Sequence, residues 1–424
     1  MKTGNGWKRA FLRGAGLLAG SILLGFVLLL LVYALPTARM KDHVRESAAM
    51  LTREGDYPEW AEGLSIAQGD QFTDSIMLRE AITDTDMGLV QRALRNPFTF
   101  PGESEDPQTS YLHDTAEGNY TQEDTGTYAR YWHGYLVFLK PMLLFFTVSE
   151  IRVFSMFVQA ILLFICLLMI SDRLNRYYAF AFLLAVLLLG PITTALCLQY
   201  QDVYLIILLT AIVLMQRKKK HPDSTGSDVF LLSGIAVAYF DFLTYPLAAL
   251  MFPLCLHLAI CSREHKLSWK SVLFPTLSWG TGYGCMWISK WILANLVTGE
   301  NVIRDGWEKL LQRSSDSAGD VSVGFLQVVK ANLGAFLSPV FPAIALIAAA
   351  AAAAFLIRNR RHLEWRRENA WYILIMAMPF AWYLVTRNHS YLHSLFTYRE
   401  LAGTVLAGLC LVGAFVRKEA SLHG

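Results

Sequence analysis

The chain has 424 residues, 54% hydrophobic and 13% aromatic, with 37 Lys/Arg against 34 Asp/Glu, a net charge of +3 and a mean hydropathy of +0.37. This composition excludes an ordinary soluble domain and fits a bundle of membrane helices. There is no basic arm or nucleic-acid motif, which argues against a nucleic-acid partner. None of the six cysteines lies in a long polar loop, so no disulfide framework is expected.

The N-terminal segment 1–14 places Lys2, Lys8, Arg9 and Arg13 ahead of an apolar run over 15–35. That run is too long for a signal-peptide core, and no small-residue cleavage motif follows Leu35-Pro36. It reads as a retained first transmembrane helix. Residues 36–151 form a long extracytoplasmic loop, whose part 36–133 holds 18 acidic and 8 basic residues. Within it, Glu46–Leu51 and Ile76–Leu94 have helical apolar spacing, while Asn96–Tyr128 is rich in turn-forming residues and reads as irregular. The stretch His133–Val148 is apolar but short and is interrupted at Lys140-Pro141, so it is expected at the interface or as a re-entrant segment.

A transmembrane bundle is expected over 152–416. Its spans are placed at 152–171, 177–197, 202–216, 228–244, 247–262, 272–296, 336–357, 370–387 and 400–416. An external loop, 297–335, carries apolar residues on amphipathic spacing, and a short tail, 417–424, closes the chain. The fold class is therefore all-α: a polytopic helical membrane protein with about ten transmembrane helices. Alternate threading puts 20 Lys/Arg and 7 Asp/Glu on one side, and 17 Lys/Arg and 27 Asp/Glu in the rest of the chain. This positive-inside pattern makes both termini cytoplasmic, with the long acidic loop outside, and the lack of an organelle signal points to a bacterial plasma membrane.

Two external clusters hold chemistry-bearing residues. Asp70 and Asp74 sit four apart just before a helical pattern, where a shielded carboxylate can act as a general base; either Thr73 or Asp74 can equally cap that helix. The segment Arg387–Arg399 packs His389, His393, Asn388, Tyr398 and Arg399 at the outer end of a helical hairpin. Its cations and donors suit a phosphate, or equally an interfacial aromatic belt with snorkelling arginines. Lys290 and Asp241 are charges near outer helix ends, and Glu150 and Arg152 flank the start of the second span. His389 and His393 have zinc-like spacing but no third ligand nearby, and no metal site is assigned.

The layout resembles the GT-C class of glycosyltransferases, on Asp70/Asp74, on Tyr128–Tyr135 (YARYWHGY) with Lys140-Pro141 and Glu150-Ile151-Arg152, and on the segment Asn388–Arg399 (NHSYLHSLFTYR). The resemblance implies transfer of a sugar from a polyprenyl-phosphate-linked donor, at the outer leaflet of the bilayer, to a glycan, lipid or protein acceptor. It implies Asp74 or Asp70 as base. Arg399, His389, His393, Arg152 and Lys290 would then face the donor phosphate, with Tyr131, His133, Asn388 and Tyr398 lining the substrate. No cofactor is fixed by it, although a divalent metal ion is compatible. The acidic pair is not the adjacent Asp-Glu of some branches, YWHGY replaces Tyr-Pro-Pro, and no large C-terminal soluble domain follows. Competing readings are a lipid or polysaccharide transporter, an acyltransferase using His257, and a non-catalytic envelope-assembly protein.

Overall fold

The computed structural model describes residues 6–100, 106–222, 224–319, 321–337 and 339–416. Helix α1 (Gly6–Tyr33) leads into α2 (Ala38–Glu54), α3 (Gln71–Ile82) and α4 (Leu89–Arg95). The apolar spacing of Glu46–Leu51 thus belongs to a helix of 17 residues. The expected helix Ile76–Leu94 is instead two, broken at Thr83–Gly88. There the Thr83 hydroxyl donates to Arg79 O (2.7 Å) and accepts from Thr99 N (3.2 Å), while Asp84 pairs with Lys41 (2.7 Å). Side chains that bond locally to backbone end the helix.

Residues expected to be irregular carry structure of their own. Strand β1 (Pro97–Thr99) pairs antiparallel with β2 (Thr125–Thr127), flanking α5 (Tyr111–Glu117). Helix α6 (Leu136–Leu143) has eight residues, about 12 Å at 1.5 Å per residue, too short to cross a bilayer core. Together these elements bury one apolar cluster, centred on Met77, Leu78, Trp132 and Leu136.

The bundle continues with α7 (Val148–Arg173), α8 (Arg176–Leu187), α9 (Pro191–Leu196), α10 (Leu198–Lys220), α11 (Ser227–Phe240), α12 (Ala248–Arg263) and α13 (Lys270–Thr298). The expected span 177–197 is split because Gly190 takes φ +73° and Pro191 starts α9. Helix α14 (Val302–Ser314), a small ribbon of β3 (Ser317–Ala318) and β4 (Val321–Ser322), and α15 (Phe325–Phe336) fill the loop 297–335. The chain then runs through α16 (Val340–Arg358), α17 (Ala370–Val385), α18 (Arg387–Leu392), α19 (Ser394–Thr397) and α20 (Leu401–Ala414).

About ten spans are expected from hydropathy, whereas five helical segments among the described residues are long and apolar enough to cross a membrane. These are Lys8–Tyr33, Val148–Arg173, Leu198–Lys220, Val340–Arg358 and Ser394–Ala414. Three shorter apolar helices, α8, α11 and α12, are cut by the Gly190-Pro191 break, by the Asp241–Leu247 turn and by the loop after Arg263. Large apolar side chains on α1, α7 and α16, among them Leu23, Phe157, Phe164 and Leu346, are exposed, as a lipid-facing surface requires. Helices α11 and α13 pack backbone to backbone. A Cβ added at Gly234 would strike Trp279 O, and one at Gly282 would strike Leu231 O, the small-residue contact by which membrane helices approach closely.

Candidate functional site

The segment before α3 sets the acidic pair. A short turn brings Trp60 N to Ala67 O (3.1 Å) and Gly69 N to Pro58 O (2.9 Å). Gly69 packs so tightly on the Trp60 ring that an added Cβ would lie 2.7 Å from it. Asp70 then caps α3: Oδ1 accepts from Thr73 N and Oδ2 from the Thr73 hydroxyl, both at 3.0 Å. Asp74 does a different job. Its two oxygens accept Leu198 N (2.8 Å) and Gln199 N (2.9 Å), closing the N-terminus of α10 from a separate helix.

Both carboxylates are buried, at 3% and 2% exposure. Burial pushes Asp70 up to about 6; the Thr73 donors and the nearby Arg399 charge pull against it. Burial pushes Asp74 up to about 7 against the pull of the Gln199 and Leu198 amides, and Asp70 adds repulsion. A carboxyl near 6 is largely ionised at neutral pH yet basic enough to take a proton. Asp70 can also release its Thr73 hydroxyl by a simple rotation, whereas Asp74 is fixed by two backbone groups.

Arg399 is fully buried beside this pair. Its Nε donates to Leu189 O (2.9 Å) and Nη1 to Leu395 O (3.1 Å). The guanidinium lies 4.2 Å from the Tyr200 ring, 4.9 Å from Tyr398 and 6.0 Å from Tyr245. Its Nη2 and the Tyr200 hydroxyl are buried without a hydrogen-bond partner. Two orphaned donors at one point are costly unless something else satisfies them. Tyr398 reaches the turn before α3, its hydroxyl 3.4 Å from Ser65 O.

A second cluster lies one ring away. His389 donates from Nε2 to Leu243 O (2.7 Å), so its Nδ1 accepts from Arg313 Nη1 (2.8 Å). Burial, with Arg313 and His393 adjacent, holds His389 well below the ordinary imidazole range; His393 is lowered to about 4. Both are neutral at pH 7. His389 therefore orients Arg313 and has no free nitrogen to offer a phosphate. The Leu243 that anchors it sits at φ +73°, held there by Asp241, whose side chain accepts Leu243 N (2.9 Å) and Thr244 N (3.0 Å). A leucine in this region stores strain, which proteins concentrate at working sites. Phe396 stacks on His393 (5.2 Å) and lies 6.0 Å from both His389 and Tyr200, bridging the two clusters.

Arg313 also faces an apolar groove of about 350 Å³ between α13, α14 and α17. Its walls include Tyr131, Tyr283, Trp287, Trp291, Trp307 and Trp382. Arg313 lies 5.9 Å from the Tyr131 ring and makes no ion pair among the described residues. Arg130, on the same rim, is held by Asp305 (2.9 Å).

Other expected site residues are placed elsewhere or otherwise engaged. Lys290 donates to Asn96 Oδ1 (2.6 Å) and stands over Trp132, in a buried network that ties α13 to α4. His133 pairs with Glu80 (2.8 Å), which also accepts from Tyr33 (3.1 Å) and from Tyr135. Asn388 donates to Ser317 O (2.5 Å) and holds the β3–β4 ribbon. Arg152 forms a bidentate pair with Glu54 (2.8 Å each) over the Trp60 ring, next to the acidic pair, and only its Nε is left without a partner. Helix geometry diverts these charges into neighbouring carboxylates and amides that spacing alone does not reveal.

Arg313, Tyr200, Tyr245 and the Trp287–Trp291 pair were not singled out from sequence. The available hint was Arg313 at i+3 from Leu310 on an amphipathic helix. Among the described residues, no group of three or more His, Cys, Asp or Glu side chains is placed to hold a metal ion. Comparison with protein-family models, curated proteins and solved structures gives no match.

Proposed function

We propose that this chain is a membrane glycosyltransferase that moves a sugar from a polyprenyl-phosphate-type donor to an envelope acceptor at the outer membrane face. The observation that carries the reading is an aromatic groove ending at Arg313 that Phe396 links to the buried Tyr200–Arg399 contact, whose charge is felt at Asp70. An apolar channel with a guanidinium at its end suits a long isoprenoid bearing a phosphate.

In this reading the isoprenoid lies against Trp287 and Trp291, and its phosphate meets Arg313. Asp70 takes the proton of the acceptor hydroxyl. The acceptor oxygen bonds to the anomeric carbon as the bond from that carbon to the phosphate oxygen breaks, and the lipid phosphate leaves with the electron pair. Arg313, with the unpartnered Nη2 of Arg399 on the other side of Phe396, stabilises the charge that develops there. Asp74 is a positioning residue that fixes α3 against α10.

The test is consumption of synthetic polyprenyl-phosphate hexose and pentose donors by membranes containing the full chain. Wild type is expected to release lipid phosphate, and Arg399→Ala to lose at least a hundredfold, the usual scale for one removed charge-stabilising donor. No turnover of any such donor by well-expressed wild type would overturn the reading.

A further inference from the structure

The opposite end of the bundle carries a separate polar cavity of about 360 Å³. Helix α7 has 26 residues and runs from Val148, one turn before the Arg152–Glu54 pair, to Arg173, about 39 Å from end to end. The cavity opens beyond that far end. It is lined by Asn175, Arg263, His265, His362, Arg366 and Val416, among others. These come from four separate parts of the chain: the α7–α8 junction, the α12–α13 junction, the α16–α17 junction and the end of α20.

The cations are held in place. Arg263 Nη1 donates to Arg173 O (2.9 Å) and to Leu174 O, which locks it to the end of α7. Arg366 Nη1 lies 3.4 Å from His265 Nδ1, and His265 itself takes φ +55°. Among the described residues, no acid lines the cavity. Glu264 pairs with Arg173 (2.5 Å) and lies 3.9 Å from Lys266; Glu364, 47% exposed, lies 3.6 Å from Arg366. A merely solvated basic face would spread its charges apart. Here two guanidiniums, two imidazoles and an amide converge on one concavity.

We propose that this cavity binds a phosphate group at the membrane face opposite Asp70. Planar guanidinium forks match phosphate oxygens, and basic pockets between membrane helices take lipid head groups. The volume admits a head group with part of its glycerol. The inference is independent of the transferase reading.

The test is calorimetric titration of the purified full chain in uncharged detergent with dioctanoyl phosphatidylglycerol and, separately, inorganic phosphate. At least one probe is expected to bind saturably, with Arg366→Gln weakening it about tenfold, the scale of a lost charged hydrogen bond. Arg360→Gln, on the same face but outside the cavity, should leave binding unchanged. Binding of the lipid alone assigns a head-group site, and binding of inorganic phosphate assigns a free-phosphate site. If Arg366→Gln does not fold, His265→Gln gives the same reading. Binding of neither probe, or equal weakening by Arg360→Gln, overturns the proposal.

Discussion

In Asp74→Asn the group that closes the N-terminus of α10 becomes a neutral amide of nearly the same shape. Two forces act on the native carboxyl. The Leu198 and Gln199 amides, at a positive helix end, favour the anion, while burial at 2% exposure disfavours it. Burial wins, with Asp74 pushed up to about 7 from an ordinary value of 3.8. A carboxyl raised in the folded state gives stability that is full below about pH 4 and is lost as pH rises through about 7. Three pKa units at about 1.4 kcal/mol each amount to roughly 4 kcal/mol across that window. Near pH 4 the amide should cost about 1 kcal/mol, because its NH2 cannot accept from a backbone N–H as the hydroxyl oxygen of the protonated acid can. By pH 8 the cost should vanish or reverse. Mixed-micelle unfolding of wild type and Asp74→Asn between pH 4 and 8 measures the difference. An Asp74→Asn penalty that grows with pH would refute the reasoning, since the helix end would then outweigh burial.

Further outcomes follow from the same geometry. Near pH 4, where the buried carboxyl is protonated, Asp70→Asn should leave unfolding within about 0.5 kcal/mol of wild type, because asparagine caps helices as well as aspartate, and yet it should abolish transfer at neutral pH. The pH profile of transfer should have an acid limb near 6, where Asp70 ionises, with activity rising as pH rises; a flat profile from pH 5 to 8 would exclude Asp70 as base. His389→Phe should raise the donor KM with a smaller change in kcat, since it frees Arg313 without removing it; an unchanged KM would show that Arg313 needs no such support. Gly282→Leu should force α13 away from Leu231 O and cost at least about 1–3 kcal/mol, readable as a lower unfolding midpoint.

Hydropathy made the helical class and the apolar core legible, because lipid-facing and buried helices are written in runs such as 15–35 and 152–171. Breaks were less legible. Gly190-Pro191 breaks the expected span 177–197 through backbone chemistry local to the dipeptide, but the end of α3 at Thr83 depends on hydrogen bonds to Arg79 and, across to a strand, Thr99. The acidic pair could be found by spacing, while its division of labour could not: Asp74 meets α10 some 120 residues later. Lys290 and His133 look alike as lone polar residues near an interface. Their partners, Asn96 and Glu80, lie far off in sequence and turn both into buried ties. Arg313 was obscured by the amphipathic pattern of α14, in which an arginine is ordinary until the Trp287–Trp291 groove is seen beside it.

The most direct measurement compares donor turnover by Asp70→Asn and Asp74→Asn at matched protein levels in the same membranes. If Asp70 is the base and Asp74 only braces α10, Asp70→Asn falls at least a hundredfold while Asp74→Asn keeps within about tenfold of wild type. Full activity in Asp70→Asn, or loss confined to Asp74→Asn, would contradict that assignment.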